Sequence, residues 1–214
     1  MAELTFYTNP MSRGQIARWM LEEAGADYET VVLDYGTTLK GAEYLAVNPM
    51  GKVPAIVHRG NVVTEGAAIC AYLADVYPEA RLAPEGEAER AAYYRWLFFA
   101  AGPVEAAVTN NSLGWAPNEQ QQRMAGYGTY DTVVDVLDRQ VAANAYVCGE
   151  RFTAADVYFG SQIIWGQQFG SLPKRDSFTA YAERLTARPA YGKAKQIDTE
   201  LIGQMQAKQP APAG

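Results

Sequence analysis

Asn48-Pro49-Met50-Gly51-Lys52-Val53-Pro54-Ala55-Ile56-Val57, followed after a short turn by Val62-Val63-Thr64-Glu65-Gly66-Ala67-Ala68-Ile69, decides how the first third of the chain folds. Pro49 and Gly51 suit a tight turn, and residues 53–57 have the β-branched, apolar character of a buried strand. Pro54 is out of place there, because it has no N–H to give a ladder and belongs at an edge or a special site. A cis Val53-Pro54 bond would turn the N–H and C=O of Val53 outward, where a small extended peptide could add itself as a strand. Glu65-Gly66-Ala67 stands where the next strand gives way to a helix. Free helical N–H groups and the positive end of the dipole would face a carboxylate there, and Glu65 could pair with an amine. A ligand carrying an α-amine and a carboxylate, joined to a short peptide, fits both features.

Outward from this stretch, the pattern before it is strand, helix, strand. Residues 4–7 are β-branched and aromatic, and Asn9-Pro10 closes them as a turn. Ile16, Trp19, Met20, Glu23 and Ala24 follow the helical period from about Ser12, with Gly25 as the stop. Residues 28–33 read as a second strand, which makes a right-handed βαβ unit of parallel strands. A loop with one possible helical turn at residues 43–46 leads to the Asn48-Pro49 turn, and a helix over 67–76 ends at Pro78. The sum is β-α-β-β-β-α over residues 1–78. Residues 79–86 carry the Pro and Gly punctuation of a linker.

Residues 87–214 show no strand pattern and predict an all-α helical bundle. A long helix over about 87–110 should kink at Gly102-Pro103. Tyr130, Val134, Leu137 and Val141 make a stripe within a helix over about 119–144. Thr153-Ala154-Ala155-Asp156 is a helix start in which hydroxyl and carboxylate cap opposite N–H groups, so Asp156 is structural rather than catalytic. Helices over 176–187 and about 191–206, separated by Pro189, finish the set, and the 210–214 tail is expected to be mobile.

With 214 residues, 49% apolar and 20% charged, the chain has the composition of an ordinary globular protein. A net charge of -6 with scattered basic residues argues against nucleic acid or an anionic membrane as partner. No apolar run is long enough to span a bilayer and the N-terminus lacks a secretory pattern, so a cytoplasmic location is expected. Cys70 and Cys148 lie far apart outside any Cys-x-x-Cys pattern, and His58 is the single histidine, in a turn that reads as surface. These exclude a disulfide scaffold, a histidine-based triad and a metal cluster.

The 48–69 stretch resembles the glutathione-binding motif of the glutathione transferase superfamily, and the likeness extends over nearly the whole chain. It implies a thioredoxin-like α/β domain followed by a helical domain, a homodimer, and glutathione as co-substrate without a metal. One departure stands out: the family usually has Ser after the Glu, to help hold the γ-glutamyl carboxylate, and this chain has Gly66. Gly keeps the backbone N–H, so the loss is one hydrogen bond, about 1 kcal/mol or somewhat more for a charged acceptor.

Ser12, five residues after Tyr7, occupies the place where family members present the group that meets the glutathione sulfur: Ser in theta-like and zeta-like classes, Cys in beta-like ones. A serine there implies a hydrogen bond to the thiolate. By the residues alone Ser12 also fits a plain helix cap. Asn9 and Arg13 are neighbours that could share the role, whereas Tyr7 reads as core. Besides Val53, Pro54, Glu65 and Gly66, Lys52 could reach the glycyl carboxylate and Lys40 supply a further polar contact. The electrophile is expected over Ser12, between the domains, with Tyr94, Phe98, Phe99, Trp115, Trp165 and Phe169 as available lining.

The leading expectation is transfer of the glutathione sulfur to a hydrophobic electrophile by substitution, addition or peroxide reduction. A zeta-like isomerase is less favoured, because Met11-Ser12-Arg13 stands where that class has Ser-Ser-Cys. A nu-like disulfide-bond reductase would use Thr8 or Asn9 as alternative sulfur partners. A non-catalytic module binding glutathione or apolar ligands is suggested by Gly66 and opposed by Ser12, Val53-Pro54 and Glu65 occurring together.

Overall fold

The computed structural model describes residues 2–208, so the 210–214 tail lies outside the described residues. By packing, the chain forms two units: residues up to Ala80 together with those from Arg188 onward, and residues Arg81–Ala187.

In the first unit, β1 (Leu4–Thr8), α1 (Gly14–Ala24) and β2 (Glu29–Val32) form the expected βαβ unit, with β1 and β2 parallel. After α2 (Ala42–Val47), β3 (Ala55–His58) and β4 (Asn61–Thr64) add as antiparallel strands, giving the sheet order β2-β1-β3-β4. Their hairpin turns through Arg59 and Gly60, both at positive φ, the geometry whose twist matches the strands. α3 (Gly66–Val76) follows. Gly25, at φ 63°, ends α1 while the Ala26 N–H closes back onto the Leu21 carbonyl, a helix stop that only a left-handed residue permits. Phe6, Ile16, Met20, Ile56, Ile69 and Leu73 are buried and make the core of this unit.

The last helix, α10 (Pro189–Lys208), belongs to this unit and packs on α1, although sequence reasoning grouped all of residues 87–214 in one helical domain. The reason is chemical. Arg18, buried in α1, donates from Nε to Oδ1 of Asp198 in α10 at 2.7 Å, and Arg188 and Lys193 pair with Glu23 and Glu22. His58 is also inside, not on a surface turn: Nδ1 lies 3.0 Å from the Tyr72 hydroxyl and the ring stacks on Tyr77.

In the second unit, α4 (Gly86–Phe99) and α5 (Glu105–Ser112) are joined by a π-helical turn over Ala100–Val104 that accommodates Pro103, so the expected kink is a bulge. The single helix expected over 119–144 is two, α6 (Glu119–Met124) and α7 (Tyr130–Ala143). Gly126 and Gly128 break it, the latter at φ 69°, and Thr129 caps α7 through the Thr132 N–H at 3.1 Å. α8 (Ala154–Phe169) is buried on most sides, opened by the Thr153–Asp156 box, and α9 (Asp176–Thr186) packs on it. A Cβ at Gly160 would come within 2.2 Å of Leu185, which is what lets these two helices close up. Asp156 accepts from the N–H groups of Val147 and Thr153 and from the Tyr181 hydroxyl at 2.7 to 2.9 Å. Among the described residues no helix is long and apolar enough to cross a membrane.

Candidate functional site

The register of the sheet gathers the expected site residues of the first unit at one end. Thr8, the last residue of β1, lies opposite Val32 at the end of β2; Tyr7 faces Ala55 at the start of β3, and Ala55 faces Thr64 at the end of β4. The turn holding Ser12, the loop leaving β2, the Val53-Pro54 approach and Glu65-Gly66 therefore emerge from the same sheet end.

The Val53-Pro54 peptide is cis. The Val53 side chain packs against Leu39 and Tyr44, and among the described residues neither its N–H nor its C=O has a backbone partner. The carbonyl before it is held hard: Lys52 O accepts from the Tyr44 hydroxyl at 2.5 Å and from Asn48 Nδ2 at 2.8 Å. Burial pushes the Tyr44 hydroxyl up to about 12, so it keeps its proton through the neutral range. Lys40 serves the same bend, donating from Nζ to the carbonyls of Met50 at 3.1 Å and Gly51 at 2.9 Å. Gly51, at φ 54°, has no room for a Cβ, which would come 2.8 Å from that Nζ. Lys52 itself is exposed.

Glu65 is exposed and takes φ 65°, ψ 119°, a conformation that costs a non-glycine residue about 1–3 kcal/mol and is typical of sites where a side chain must be aimed. α3 starts at the next residue, so the N–H groups of its first turn face this end of the sheet without intrahelical partners.

The Ser12 hydroxyl donates to the Asn9 carbonyl at 2.6 Å and accepts the Gly14 N–H at 2.9 Å. It stands just ahead of α1, half-buried, with Arg13 exposed beside it. Asn9 is 1% exposed and fully engaged: Nδ2 donates to Leu33 O at 2.8 Å and Oδ1 accepts the Met11 N–H at 3.0 Å. It brackets the β1–α1 turn to the loop leaving β2, and it also lines the cavity that opens at this end of the unit. Thr8 is wholly buried against Gly14, where a Cβ would lie 2.0 Å from Thr8 Oγ1, so it presents nothing to a ligand. The thiols of Cys148, pushed up to about 12, and Cys70, pushed higher, are both held neutral by burial.

A cavity of about 580 Å³ opens at this end of the first unit. Met11 forms one wall, Asp34 and Tyr35 of the loop after β2 a second, and Leu201, Gln204 and Met205 of α10 a third. Of the lining residues the sequence reading named only Asn9 for the site, and it missed the three walls and the Tyr44–Asn48 clamp. Only Asn48, a turn former before Pro49, carried a visible signal.

The aromatic residues expected to line the electrophile pocket lie in the second unit. Phe98 and Phe169 are 73% and 72% exposed, and Tyr94 and Trp115 are also exposed. Phe99 and Trp165 are half-buried; Phe99 packs edge-on against Trp96, and Trp165 against Phe169. The α4 pair Tyr94 and Phe98, four residues apart, shares one helix face.

Comparison with known proteins points to one family. Residues 2–75 match the family described as glutathione S-transferase, N-terminal domain. A crystal structure of a glutathione transferase from Methylococcus capsulatus is 31% identical, with a TM-score of 0.76 over 92% of this chain and 99% of that one. A sphingomonad glutathione S-transferase complexed with glutathione is 29% identical, with a TM-score of 0.74 over 91% and 98%. The disulfide-bond oxidoreductase YfcG of Escherichia coli K12 is 27% identical over 206 residues, 89% of this chain and 94% of that protein.

Proposed function

The chain belongs to the glutathione transferase superfamily, and from that premise we propose that it binds glutathione at the sheet end just described and transfers its sulfur to an apolar electrophile. The observation that carries this reading is the register, which sets Ser12, the unpaired Val53 backbone and the Glu65-Gly66 helix start on one rim. The cysteinyl backbone of the tripeptide pairs with the N–H and C=O of Val53 as an added strand. Its γ-glutamyl carboxylate meets the first turn of α3, and its amine meets Glu65. Lys52 supplies charge for the glycyl carboxylate, while Lys40 keeps the 50–51 bend in shape.

Ser12 activates the thiol, and Arg13 beside it contributes positive charge. To donate to the sulfur, the Ser12 hydroxyl must turn its proton away from the Asn9 carbonyl. The gain is therefore the difference between a charge-assisted and a neutral hydrogen bond, about 1–1.5 kcal/mol, plus up to about 1 kcal/mol from the start of α1. Together these lower the thiol by about 1 to 2 units from its ordinary value near 8.5. The electrophile takes the cavity walled by Met11, Tyr35 and α10. We extend the same reading to a cytoplasmic homodimer.

The test is the ultraviolet difference signal of thiolate as glutathione is titrated with pH in the presence of wild type and Ser12→Ala. A thiolate signal appearing 1 to 2 units below that of free glutathione, and lost in the variant, supports the reading. An unshifted thiol in the bound tripeptide removes Ser12 from the mechanism. A second reading, reduction of disulfides, is favoured by the likeness to YfcG. Turnover of a small glutathione mixed disulfide with none of 1-chloro-2,4-dinitrobenzene would select it.

A further inference from the structure

The cavity beside Met11 has an uneven electrical character. Its walls contribute apolar surface from Met11, Val32, Tyr35, Leu201 and Met205, with Thr37 and Gln204 as neutral polar groups. Among the described lining residues Asp34 is the one acid, and none is a lysine, arginine or histidine. Asp34 is also well fixed for a loop residue. Its N–H donates to Thr38 Oγ1 at 2.8 Å, its carbonyl accepts the Leu39 N–H at 3.0 Å, and Leu33 before it is tied to β1 through Thr8 O and Asn9 Nδ2, both at 2.8 Å. The Lys40 ammonium, the nearest cation along this loop, is turned to the carbonyls of Met50 and Gly51. Arg13, next to Met11, is exposed, and Lys195 donates to Gln15.

We propose that Asp34 is a specificity residue: the cavity accepts uncharged or cationic apolar electrophiles, and the Asp34 carboxylate rejects those carrying a carboxylate of their own. The proposal rests on the reading of this cavity as the electrophile's place. A guest anion that fills the cavity lies beside Asp34 and meets no positive side chain among the described lining residues. Because Asp34 is exposed, water and salt weaken the repulsion, and the expected discrimination is about tenfold at low ionic strength, equivalent to about 1.4 kcal/mol.

The experiment compares 4-chloro-3,5-dinitrobenzamide with 4-chloro-3,5-dinitrobenzoate, each rate divided by its uncatalysed rate with glutathione at the same pH. Wild type is expected to favour the amide, and Asp34→Asn to reduce that preference about tenfold. Asp34→Glu should retain it, Asp34→Lys reverse it, and 0.5 M salt shrink it in wild type but not in Asp34→Asn. An amide-to-acid ratio unchanged in Asp34→Asn, or insensitive to salt, overturns the proposal. Equilibrium binding of the unreactive 3,5-dinitrobenzamide and 3,5-dinitrobenzoate to wild type and Asp34→Asn is measured alongside. Loss of discrimination in binding without turnover of either chloro compound upholds Asp34 and overturns the transferase reading; equal binding of the two in wild type overturns the Asp34 proposal whatever the turnover.

Discussion

Arg18 and Asp198, 180 residues apart in sequence, meet at 2.7 Å with 1% and 2% of their side chains exposed. The Arg18 guanidinium also lies 5.0 Å from the centre of the Phe6 ring and donates to the Tyr28 hydroxyl at 3.1 Å. Burial raises the Asp198 carboxyl above its ordinary range, outweighing the pull of the Arg18 guanidinium and of Lys195 in the other direction. Removing either partner strands the other: Arg18→Met and Asp198→Leu should each cost about 3–5 kcal/mol in urea unfolding, and the double Arg18→Met, Asp198→Leu should recover most of the loss. Additive losses in the double variant would show that the pair is not coupled.

Thr8 supplies a contrary prediction. Its Oγ1 is buried with no hydrogen-bond partner among the described residues, a situation that costs about 1–3 kcal/mol. Thr8→Val keeps the shape and should raise stability by about 1 kcal/mol while leaving glutathione turnover in place. A fall in turnover would return Thr8 to the list of sulfur partners.

Lys40→Met should raise the KM for glutathione about fivefold, through loosening of the 50–51 bend, at a cost of about 1 kcal/mol. Since the effect acts through the bend, the same factor is expected with a glutathione analogue whose glycyl carboxylate is an amide. A loss confined to native glutathione would mean direct pairing instead.

Gly66→Ser restores the hydroxyl that the family usually carries. α3 begins at this residue and its first-turn N–H groups are already in place, so the substitution should lower the dissociation constant for glutathione about five- to tenfold, roughly 1 kcal/mol. Calorimetric titration of both proteins checks it, and an unchanged constant would put the γ-glutamyl carboxylate elsewhere.

Asp156 gives the pH dependence. Burial lifts its carboxyl to about 6 from an ordinary 3.8, against the hydrogen bonds from Val147, Tyr181 and Thr153. The folded protein thus holds this proton more tightly than the unfolded chain, so the contribution of Asp156 to stability is greatest below about pH 4. It declines as the pH rises towards 6, by up to about 1.4 kcal/mol per pH unit, and is flat above. The difference in unfolding free energy between wild type and Asp156→Asn should therefore fall across this window; a rise would assign the residue an ionised native state throughout.

The parts legible in the sequence were those written in local chemistry. Proline before a strand, glycine at a helix stop and the Thr153–Asp156 box each specify backbone geometry within a few residues, and the element order followed from them. What escaped reading depends on partners far along the chain. Nothing around Arg18 announces Asp198, and α10 looks like one more bundle helix until that pair is seen. Asn9 and Lys40 illustrate the same limit within the site. Their residue types suit ligand contact, but carbonyls of Leu33, Met50 and Gly51 had already claimed them. The split of the 119–144 helix was visible in Gly126 and Gly128 and was outweighed by a hydrophobic stripe that belongs wholly to α7.

Because α10 completes the unit that β1 begins, the order of synthesis and the order of assembly differ. Residues Arg81–Ala187 are contiguous in sequence, whereas Arg18 must wait for Asp198, 180 residues later, to be neutralised. A chain stalled before residue 198 therefore lacks both the helix that packs on α1 and the counter-charge of Arg18, and leaves that face of α1 uncovered.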